Sequence, residues 1–566
     1  MLFFSERFDL YKPFYLCVHH RQSSSVNQGA LMTLITSFSM LVLASWLALP
    51  ISLLAIAGFA NWTSTPSKLN HCWRIAETIL VALLITSVVV GLGLIANGFG
   101  VNTGLPEIGS ALGLYPDGLA MWMAAMVSFV AWIILRYARD YLRGDAASRG
   151  FFPWFLVTVA SVLILIFTNH LLVLAGAWVS ISLALHHLLT LYPDRTEARL
   201  AAVQKFFTSR LGDLAVIAAV MLIWRHYGSF RIPEIYALSS QAAMASMELT
   251  LASVFLAVAA ALKCAQIPFH GWLIRVMEAP TPVSALLHAG VINLGGFLWL
   301  RLFPVFDGYT AGHLLLLVVG GTTALVAVFT MMTQTSVKHA LVWSTNAQMG
   351  FMLFEIALGA YTLALLHLLA HSLYKAHSLL ASGRTVSVSA MHFTGRPNWS
   401  NVLLACLATA ISGTILWFAP GLVESKSILA CLLVMAVAAT VFGVPGESSV
   451  RAKLTVFFMA LTLVPLYGLL NLVLGSAVLA NGSNGLPVMA EVFGWGLILC
   501  LAIVSIVTQL WPGAAWMQRL HRPASQGFYL DRPFEQFTRR WAKRWLAPNT
   551  RGQVTDSYRL TIGERS

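Results

Sequence analysis

Long runs of apolar residues dominate this 566-residue chain and constrain its fold more than any other feature. Hydrophobic residues make up 58% of the sequence and charged residues only 10%, against about 25% in a typical soluble domain. So few charges cannot cover the surface of a soluble protein of this size. Because a helix needs about 20 apolar residues to cross a bilayer, the sequence predicts an all-α polytopic membrane protein.

About fifteen segments are apolar and long enough to span a membrane as helices. They are residues 32–60, 75–96, 114–136, 151–168, 170–192, 204–224, 249–265, 281–303, 313–333, 340–358, 361–382, 401–420, 427–445, 454–475 and 489–511. No segment alternates like a strand of a membrane β-barrel. A helical bundle is therefore predicted.

The basic residues lie unevenly on the two sides of these spans. The chain has 35 Lys and Arg against 22 Asp and Glu, and most of the basic residues follow odd-numbered spans or lie in the C-terminal tail. Cytoplasmic loops carry an excess of Lys and Arg, so we predict an external N-terminus and a cytoplasmic C-terminus in the cell inner membrane. Only Lys263 and Lys375 are assigned to span interiors.

The tail, residues 513–566, carries ten Lys and Arg. Within it Phe534, Phe537, Trp541 and Trp545 recur at helical spacing among basic residues, which predicts an amphipathic helix at the cytoplasmic interface. A simple membrane anchor and a docking site for a partner explain this helix equally well. Nucleic-acid binding is disfavoured, because no recognised nucleic-acid fold accompanies the basic residues.

A lysine at mid-bilayer costs about 2.5–3.5 kcal/mol, so it is expected to face the bundle interior or water. Lys263 ends an apolar run and precedes a segment containing Pro268, Pro280 and Pro282, where helices are predicted to break. Broken helices near the midplane are typical of ion paths. Lys263 is thus a candidate ion-path residue, with His288 in the next span. The alternative is that the Lys263 amine reaches the cytoplasmic face.

His367, His371 and Lys375 are spaced i, i+4, i+8 and project from one face of one helix. Such a face can pass protons when hydrated, because histidine titrates near neutral pH. Two histidines one turn apart could also bind a metal, but no acidic or cysteine third ligand is visible nearby, so no metal site is predicted. The remaining alternative is hydrogen-bonded packing histidines.

Two further charged positions have supporting interpretations. Arg210 and Asp213 are spaced i, i+3 and are predicted to pair across one helical turn. Lys338 lies at a short predicted cytoplasmic turn, where its simplest interpretation is a signal for membrane orientation.

Three stretches around these residues carry a family resemblance: KFFTSRLGDLA, KCAQIPFHGWLIRVMEAPTPVSALLHA, and TQTSVKHALVWSTNAQMGF with LLHLLAHSLYKAHSLLASG after it. They resemble the proton-conducting, antiporter-like membrane subunits of respiratory complex I and of Mrp-type cation/proton antiporters, over roughly residues 110–385. The resemblance implies two inverted five-helix repeats, each with a discontinuous helix. Lys263 would be the central lysine, His288 the histidine of the following helix, and His367, His371 and Lys375 the row that joins the repeats.

The resemblance and the spans divide the chain into six segments. They are an N-terminal tail (1–31), N-terminal transmembrane helices (32–150), a first antiporter-like repeat (151–303), a second repeat (304–445), C-terminal transmembrane helices (446–512) and a basic cytoplasmic tail (513–566).

One departure from the family pattern concerns the partner of the central lysine. Members of the complex I type carry a glutamate directly after a tryptophan in the fifth span, whereas here Trp178 is followed by Val179 and the span holds no carboxylate. Another group or a partner subunit would then have to modulate Lys263. This departure and the run GVINLGGFLWLRL resemble the branch of membrane subunits that serve inorganic-carbon accumulation systems.

That branch implies a transporter subunit rather than an enzyme. Cation flow, of protons in preference to Na+, would energise conversion of CO2 to bicarbonate by a large cytoplasmic DabA-like partner, which resembles zinc-dependent β-carbonic anhydrases. The zinc would belong to the partner, and no cofactor is expected in this chain. The alternatives are a proton-pumping subunit of an NADH:quinone oxidoreductase-like complex, an Mrp-type antiporter, or a membrane anchor whose ion path is degenerate.

Overall fold

The computed structural model describes residues 25–63, 65–96, 109–192, 196–240, 246–306, 308–382, 398–419, 427–475, 487–510 and 514–546. Within these ranges the regular structure is helical, apart from two isolated bridges, Leu114 to Thr168 and His170 to Arg231. The all-α prediction is confirmed. The predicted N-terminal tail lies largely outside the described residues.

Each predicted span coincides with one helix or with two consecutive helices. The first part of the chain forms α1 (Ser25–Trp62), α2 (Pro66–Ala96), α3 (Gly118–Tyr141), α4 (Ala147–Phe167), α5 (Leu171–Leu189), α6 (Thr196–Tyr227), α7 (Ile232–Ser239), α8 (Met247–Lys263), α9 (Gly271–Arg275), α10 (Thr281–Ala289) and α11 (Leu294–Leu302). The second part forms α12 (Ala311–Met332), α13 (Val337–Ala357), α14 (Tyr361–Leu380), α15 (Trp399–Phe418), α16 (Ser427–Phe442), α17 (Val450–Leu461), α18 (Leu463–Leu474), α19 (Val488–Leu510), α20 (Ala515–Ser525) and α21 (Arg532–Leu546).

Eleven of the described helical segments are long and apolar enough to cross a membrane. The other four predicted spans coincide with α8, α13, α14 and α16. Two of these, α8 and α16, are short, with 17 and 16 residues. The other two, α13 and α14, carry polar side chains that lower their mean hydropathy, and those side chains belong to the candidate site.

The predicted break after Lys263 is present. Helix α8 ends at Lys263, the backbone at Ala265 takes a positive φ of 51°, and α9 begins only at Gly271. A second interruption separates α10 from α11 at Gly290, where the helix gives way to a 3-10 turn. The discontinuous helices place peptide groups and side chains inside the bundle rather than against lipid, as irregular backbone in a membrane requires.

Helices α12 and α13 approach closely at a pair of glycines. A Cβ atom added to Gly320 would lie 2.8 Å from the Gly350 carbonyl oxygen, and one added to Gly350 would lie 2.7 Å from the Gly320 carbonyl oxygen. Small residues let two membrane helices pack backbone to backbone. This contact holds α13, whose opposite side carries polar residues toward α14.

An ion pair between buried Arg301 and half-buried Asp117 ties α3 to α11 near their shared end. The Arg301 Nη1 atom donates to an Asp117 carboxylate oxygen at 2.6 Å, and Nη2 donates to the other at 3.1 Å. Asp117 also accepts from the Ala120 amide at 2.8 Å, which caps the start of α3. The pair therefore fixes both a helix end and the packing between two spans.

The predicted amphipathic helix of the tail is α21, and its aromatic residues contact the chain itself. The Phe534 ring centroid lies 5.1 Å from that of Phe269, and the Trp541 centroid lies 5.2 Å from that of Phe207. Neither the anchor nor the partner-docking interpretation anticipated this intramolecular packing. The side chain of Trp545 lies outside the described residues.

Candidate ion path

Lys263 places its amine inside the bundle, against α5. The Nζ atom donates to the Ser182 hydroxyl at 3.4 Å and lies 4.4 Å from the centroid of the Trp178 ring. The side chain is buried. An ammonium over a tryptophan face is stabilised by the ring quadrupole. The amine therefore points toward α5 within the protein, which contradicts the alternative that it reaches the cytoplasmic face.

Asp213 on α6 is a carboxylate that shares a hydrogen-bonding partner, Ser182, with Lys263. The Ser182 hydroxyl donates to Asp213 Oδ1 at 3.3 Å, and Arg210 Nη2 lies 2.6 Å from Asp213 Oδ2. The predicted Arg210–Asp213 pair is therefore present. Ser182 contacts both Lys263 and Asp213. A carboxylate from the sixth span is therefore linked to Lys263 through Ser182, although the fifth span has no carboxylate of its own.

Lys205 belongs to the same group and was missed by the sequence analysis. Its Nζ atom donates to the Ser182 carbonyl oxygen at 2.9 Å, and the side chain is 2% exposed. The assignment of only Lys263 and Lys375 to span interiors is wrong, because α6 begins at Thr196 and Lys205 lies more than two turns beyond that start. The i, i+8 spacing of Lys205 and Asp213 on one helical face is the signal that could have found it.

Lys205 and Lys263 both line a small cavity of about 10 Å³. Residues that line it include Trp178, Ser182, Lys205, Lys263 and Trp272. A cavity of about this volume with polar partners has room for one water.

The second buried group joins α10, α13 and α14. The His288 Nδ1 atom lies 3.2 Å from Thr345 Oγ1, and the His371 Nε2 atom lies 3.3 Å from the His288 carbonyl oxygen. Lys375 Nζ donates to the Leu341 carbonyl oxygen at 2.9 Å. His371 and Lys375 are both buried, so the predicted shared face of α14 is directed into the protein.

His367 has an acidic partner that the sequence analysis did not identify. Its Nδ1 atom lies 3.0 Å from a Glu355 carboxylate oxygen, and its Nε2 atom lies 2.6 Å from Gln348 Oε1. The statement that no acidic residue lies near these histidines is therefore wrong. Glu355 lies on α13, so spacing along α14 alone could not show it. Among the described residues, no group of three or more His, Cys, Asp or Glu could hold a metal ion.

The interruption between α10 and α11 connects the two groups. Val291 and Ile292 line the cavity beside Lys263. Asn293 Nδ2 donates to Ser372 Oγ at 2.7 Å, which joins this segment to α14. The two groups thus form a series of buried polar and ionisable residues on either side of this segment, whose Val291 and Ile292 are apolar.

Lys338 is the one predicted supporting residue that the structure leaves apart from this series. It is exposed at the start of α13. Lys453 is buried at the start of α17 but donates to Ser400 Oγ at 2.9 Å and to the Gly446 carbonyl oxygen at 2.8 Å, so it holds a connection between helices.

Two models of known protein families match the chain. The family described as "NADH:quinone oxidoreductase/Mrp antiporter, TM" matches residues 168–480, which is more than half of the chain. The family described as "NADH-Ubiquinone oxidoreductase (complex I), chain 5 N-terminus" matches residues 106–152. Both buried polar groups lie within the first match.

Several individual proteins are similar to this chain, each over a different share of its length. The chain is 33% identical over 471 residues to the "Probable inorganic carbon transporter subunit DabB" of Hydrogenovibrio crunogenus, covering 81% of this chain and 88% of that protein. It is 42% identical over 273 residues to the "Probable inorganic carbon transporter subunit DabB2" of Halothiobacillus neapolitanus, covering 48% of this chain and 50% of that protein. A chain in the solved Mrp complex from Dietzia sp. matches with a TM-score of 0.50 and 22% identity, covering 89% of this chain and 57% of that chain, and thus shares the fold.

Proposed function

We propose that this chain conducts cations for an energy-coupled inorganic-carbon pump. The premise is that the chain belongs to the NADH:quinone oxidoreductase/Mrp antiporter family and, within it, to the DabB inorganic carbon transporter subunits. The ion is the proton. The observation that carries the proposal is the series of buried ionisable residues from Asp213 through Lys263 to Lys375. Ionisable groups inside a membrane protein are expensive and mark ion pathways.

The first group of residues, around Lys263, Ser182 and Asp213, can transfer a proton between helices. Lys263 donates toward the Ser182 hydroxyl, and the same hydroxyl donates toward Asp213. A hydroxyl that accepts from one group and donates to the next can relay a proton without moving its oxygen. Lys205 extends the relay along α6 through the cavity that it shares with Lys263.

The second group carries the relay toward the other half of the bundle. The His288 and His371 rings lie on facing helices, and each imidazole can accept a proton at one nitrogen and release one at the other. Glu355 supplies a carboxylate that stabilises a protonated His367. Lys375 lies on the same helix face as both α14 histidines.

The partner in this proposal is a cytoplasmic DabA-like zinc protein that converts CO2 to bicarbonate in one direction. This chain contributes ion movement, and the partner contributes the zinc and the chemistry. The two proteins would form a complex in the cell inner membrane. The basic connections and tail support a cytoplasmic C-terminus and an external N-terminus.

The experiment that tests the proposal is Lys263→Ala in the intact complex. We expect uncoupler-sensitive bicarbonate accumulation to fall to the level of cells that lack the chain, while the complex still assembles. Lys68→Ala is the matched control, because Lys68 is exposed at the start of α2. Normal accumulation by assembled Lys263→Ala would refute the ion-path role.

A proton-pumping subunit of a dehydrogenase or an Mrp-type antiporter is the second candidate. The match over residues 168–480 favours it, because that family includes both kinds of protein. Purification of the intact complex and identification of its other subunit by mass separates the candidates. A carbonic-anhydrase-like subunit supports the pump, whereas dehydrogenase subunits support the alternative.

A further inference from the structure

The C-terminal tail lies over the segment that follows the break at Lys263. Asp531 is so close to Gly271 that a Cβ atom added to this glycine would lie 2.5 Å from Asp531 Oδ2. The Phe534 ring meets Phe269 edge to face. Contacts therefore join the tail to the last non-helical residues before α9 and to the first residue of α9.

Glu535 organises a set of polar contacts between the tail and two helices. Its Oε1 atom lies 2.7 Å from Arg275 Nη2, on α9, and accepts from Arg539 Nε at 2.7 Å within the tail. Arg275 Nη1 donates to Gln204 Oε1 at 2.7 Å, and Gln204 Nε2 donates to Thr538 Oγ1 at 3.2 Å. The contacts close a ring from the tail to α9, to α6 and back to the tail.

This ring lies next to the Lys263 cavity in both sequence and space. Gln204 precedes Lys205, whose side chain lines the cavity from α6. Arg275 ends α9, and Trp272 of α9 lines the same cavity. Gln204 and Thr538 are buried, so water does not compete strongly for the bond between them. The ring thus holds together two of the helices that shape the cavity.

We propose that Glu535 is a positioning residue for the ion path, which acts through Arg275 and Gln204 to fix α9 against α6 around Lys205 and Lys263. This inference rests on the proposed function and extends it to the tail. Glu535 touches neither lysine. Its carboxylate is the acceptor that orients Arg275, and a bidentate guanidinium holds two partners in one plane.

The competing explanation is that the tail packs only through its aromatic residues. In that case the Glu535 charge is dispensable, because Phe534 and Trp541 retain their contacts in a neutral isostere. Glu535→Gln separates the two explanations, since it preserves shape and removes the charge that Arg275 requires.

The experiment uses the intact complex with two readouts. The first is uncoupler-sensitive bicarbonate accumulation. The second is the rate at which a small thiol reagent modifies Cys264, which is buried directly after Lys263, in a chain whose other cysteines are replaced by serine. We expect Glu535→Gln to lower accumulation several-fold and to raise the rate of Cys264 modification several-fold. Glu447→Gln, an exposed position between α16 and α17, is the matched control and leaves both unchanged.

Charge exchange tests whether the interaction itself is responsible. Arg275→Glu combined with Glu535→Arg restores both readouts toward the original values, whereas each single exchange impairs them. Thr538→Val removes the acceptor for Gln204, together with a hydroxyl that donates to the Phe534 and Glu535 carbonyl oxygens within the tail, and leaves the Arg275–Glu535 contact in place. It therefore provides a milder change of the same sign where Glu535→Gln fails to assemble. Unchanged Cys264 modification in Glu535→Gln, or no rescue by the double exchange, overturns the proposal.

Failure of this inference and failure of the proposed function give different results. Lys263→Ala is expected to abolish accumulation, and the effect of Glu535→Gln on Cys264 modification is then measured both in the original chain and in the Lys263→Ala background. Retained accumulation in that variant refutes the proposed function, and the modification rate still decides whether Glu535 positions the helices.

Discussion

Glu355 and His367 face each other across α13 and α14, with 3.0 Å between a carboxylate oxygen and the imidazole Nδ1 atom. Gln348 contacts the other ring nitrogen, so two partners fix the orientation of the imidazole. The row of ionisable residues on α14 therefore starts at a carboxylate from a neighbouring helix. This geometry is that of a buried charge with a counter-charge, which a membrane interior requires.

Removing the Glu355 charge is expected to impair ion conduction. Glu355→Gln keeps the shape but loses the charge that stabilises a protonated His367, so accumulation should fall by roughly tenfold or more, because a positioned proton-transfer group contributes about 10²–10⁴-fold in rate. Uncoupler-sensitive bicarbonate uptake measures the effect. Glu491→Gln, exposed on α19, is the control, and equal uptake in both variants would contradict the prediction.

His371→Ala is expected to reduce uptake, because His371 is the ring that approaches His288 on the facing helix. His377 lies on the same helix but is exposed, so His377→Ala provides a control with the same chemical change. The measurement is uptake normalised to the amount of assembled complex. If both variants behave alike, His371 is a packing residue.

Asp213→Asn is expected to abolish uptake, because it leaves Arg210 and the Ser182–Lys263 contact without the carboxylate that joins them. Asp213→Glu should retain part of the uptake, since it preserves the charge. Asp140→Asn on the exposed end of α3 controls for the amide substitution. Full uptake by Asp213→Asn would show that the carboxylate takes no part in conduction.

Two serines on α5 allow a matched comparison. Ser182→Ala removes the hydroxyl between Lys263 and Asp213 but retains the carbonyl that accepts from Lys205, so uptake should fall several-fold without disappearing. Ser180 contacts Ser161 at 2.8 Å away from this group. Ser180→Ala should therefore leave uptake unchanged, and a comparable loss in both variants would point to helix packing as the cause.

Docking of the tail is expected to weaken in acid through Glu535. Burial alone would raise the pKa of Glu535, but the hydrogen bonds from Arg539 and Arg275 outweigh it and lower this pKa below its ordinary value. The stabilisation that Glu535 provides is therefore present above its undocked pKa of about 4.3 and is lost as pH falls through the lower docked pKa.

The neighbouring carboxyl acts in the opposite direction. Burial raises the pKa of Asp531, so its protonation favours docking as pH falls. Distances between spin labels at positions 536 and 338, both exposed, report docking. As the pH falls, these distances should first narrow as Asp531 protonates and then broaden as Glu535 protonates at lower pH in the original chain, whereas in Glu535→Gln they should only narrow. The same acid response in both chains would exclude Glu535 as the responsible group.

The spans and the broken helix were predictable because they follow from local properties of the chain. Twenty apolar residues must cross the bilayer as a helix, and prolines after Lys263 cannot continue one. The shared face of His367, His371 and Lys375 also follows from helical geometry alone. Each of these features depends on residues within one segment.

The partners of these residues were not predictable, because they depend on how helices pack against each other. Asp213 meets the Lys263 group only through Ser182, and Glu355 meets His367 only across two helices. Lys205 was missed because it lies at the first turn of the predicted span 204–224 and was counted with the connection before it, whereas the helix begins at Thr196. The docking of the tail on α6 and α9 is likewise a contact between distant segments.

The Ser182 carbonyl oxygen accepts a hydrogen bond from Lys205, and the Ser182 hydroxyl accepts one from Lys263. One residue therefore sets the position of both amines, and a turn of α5 about its own axis displaces both contacts together. A transport cycle in which α5 rotates would therefore change the surroundings of both lysines in the same step.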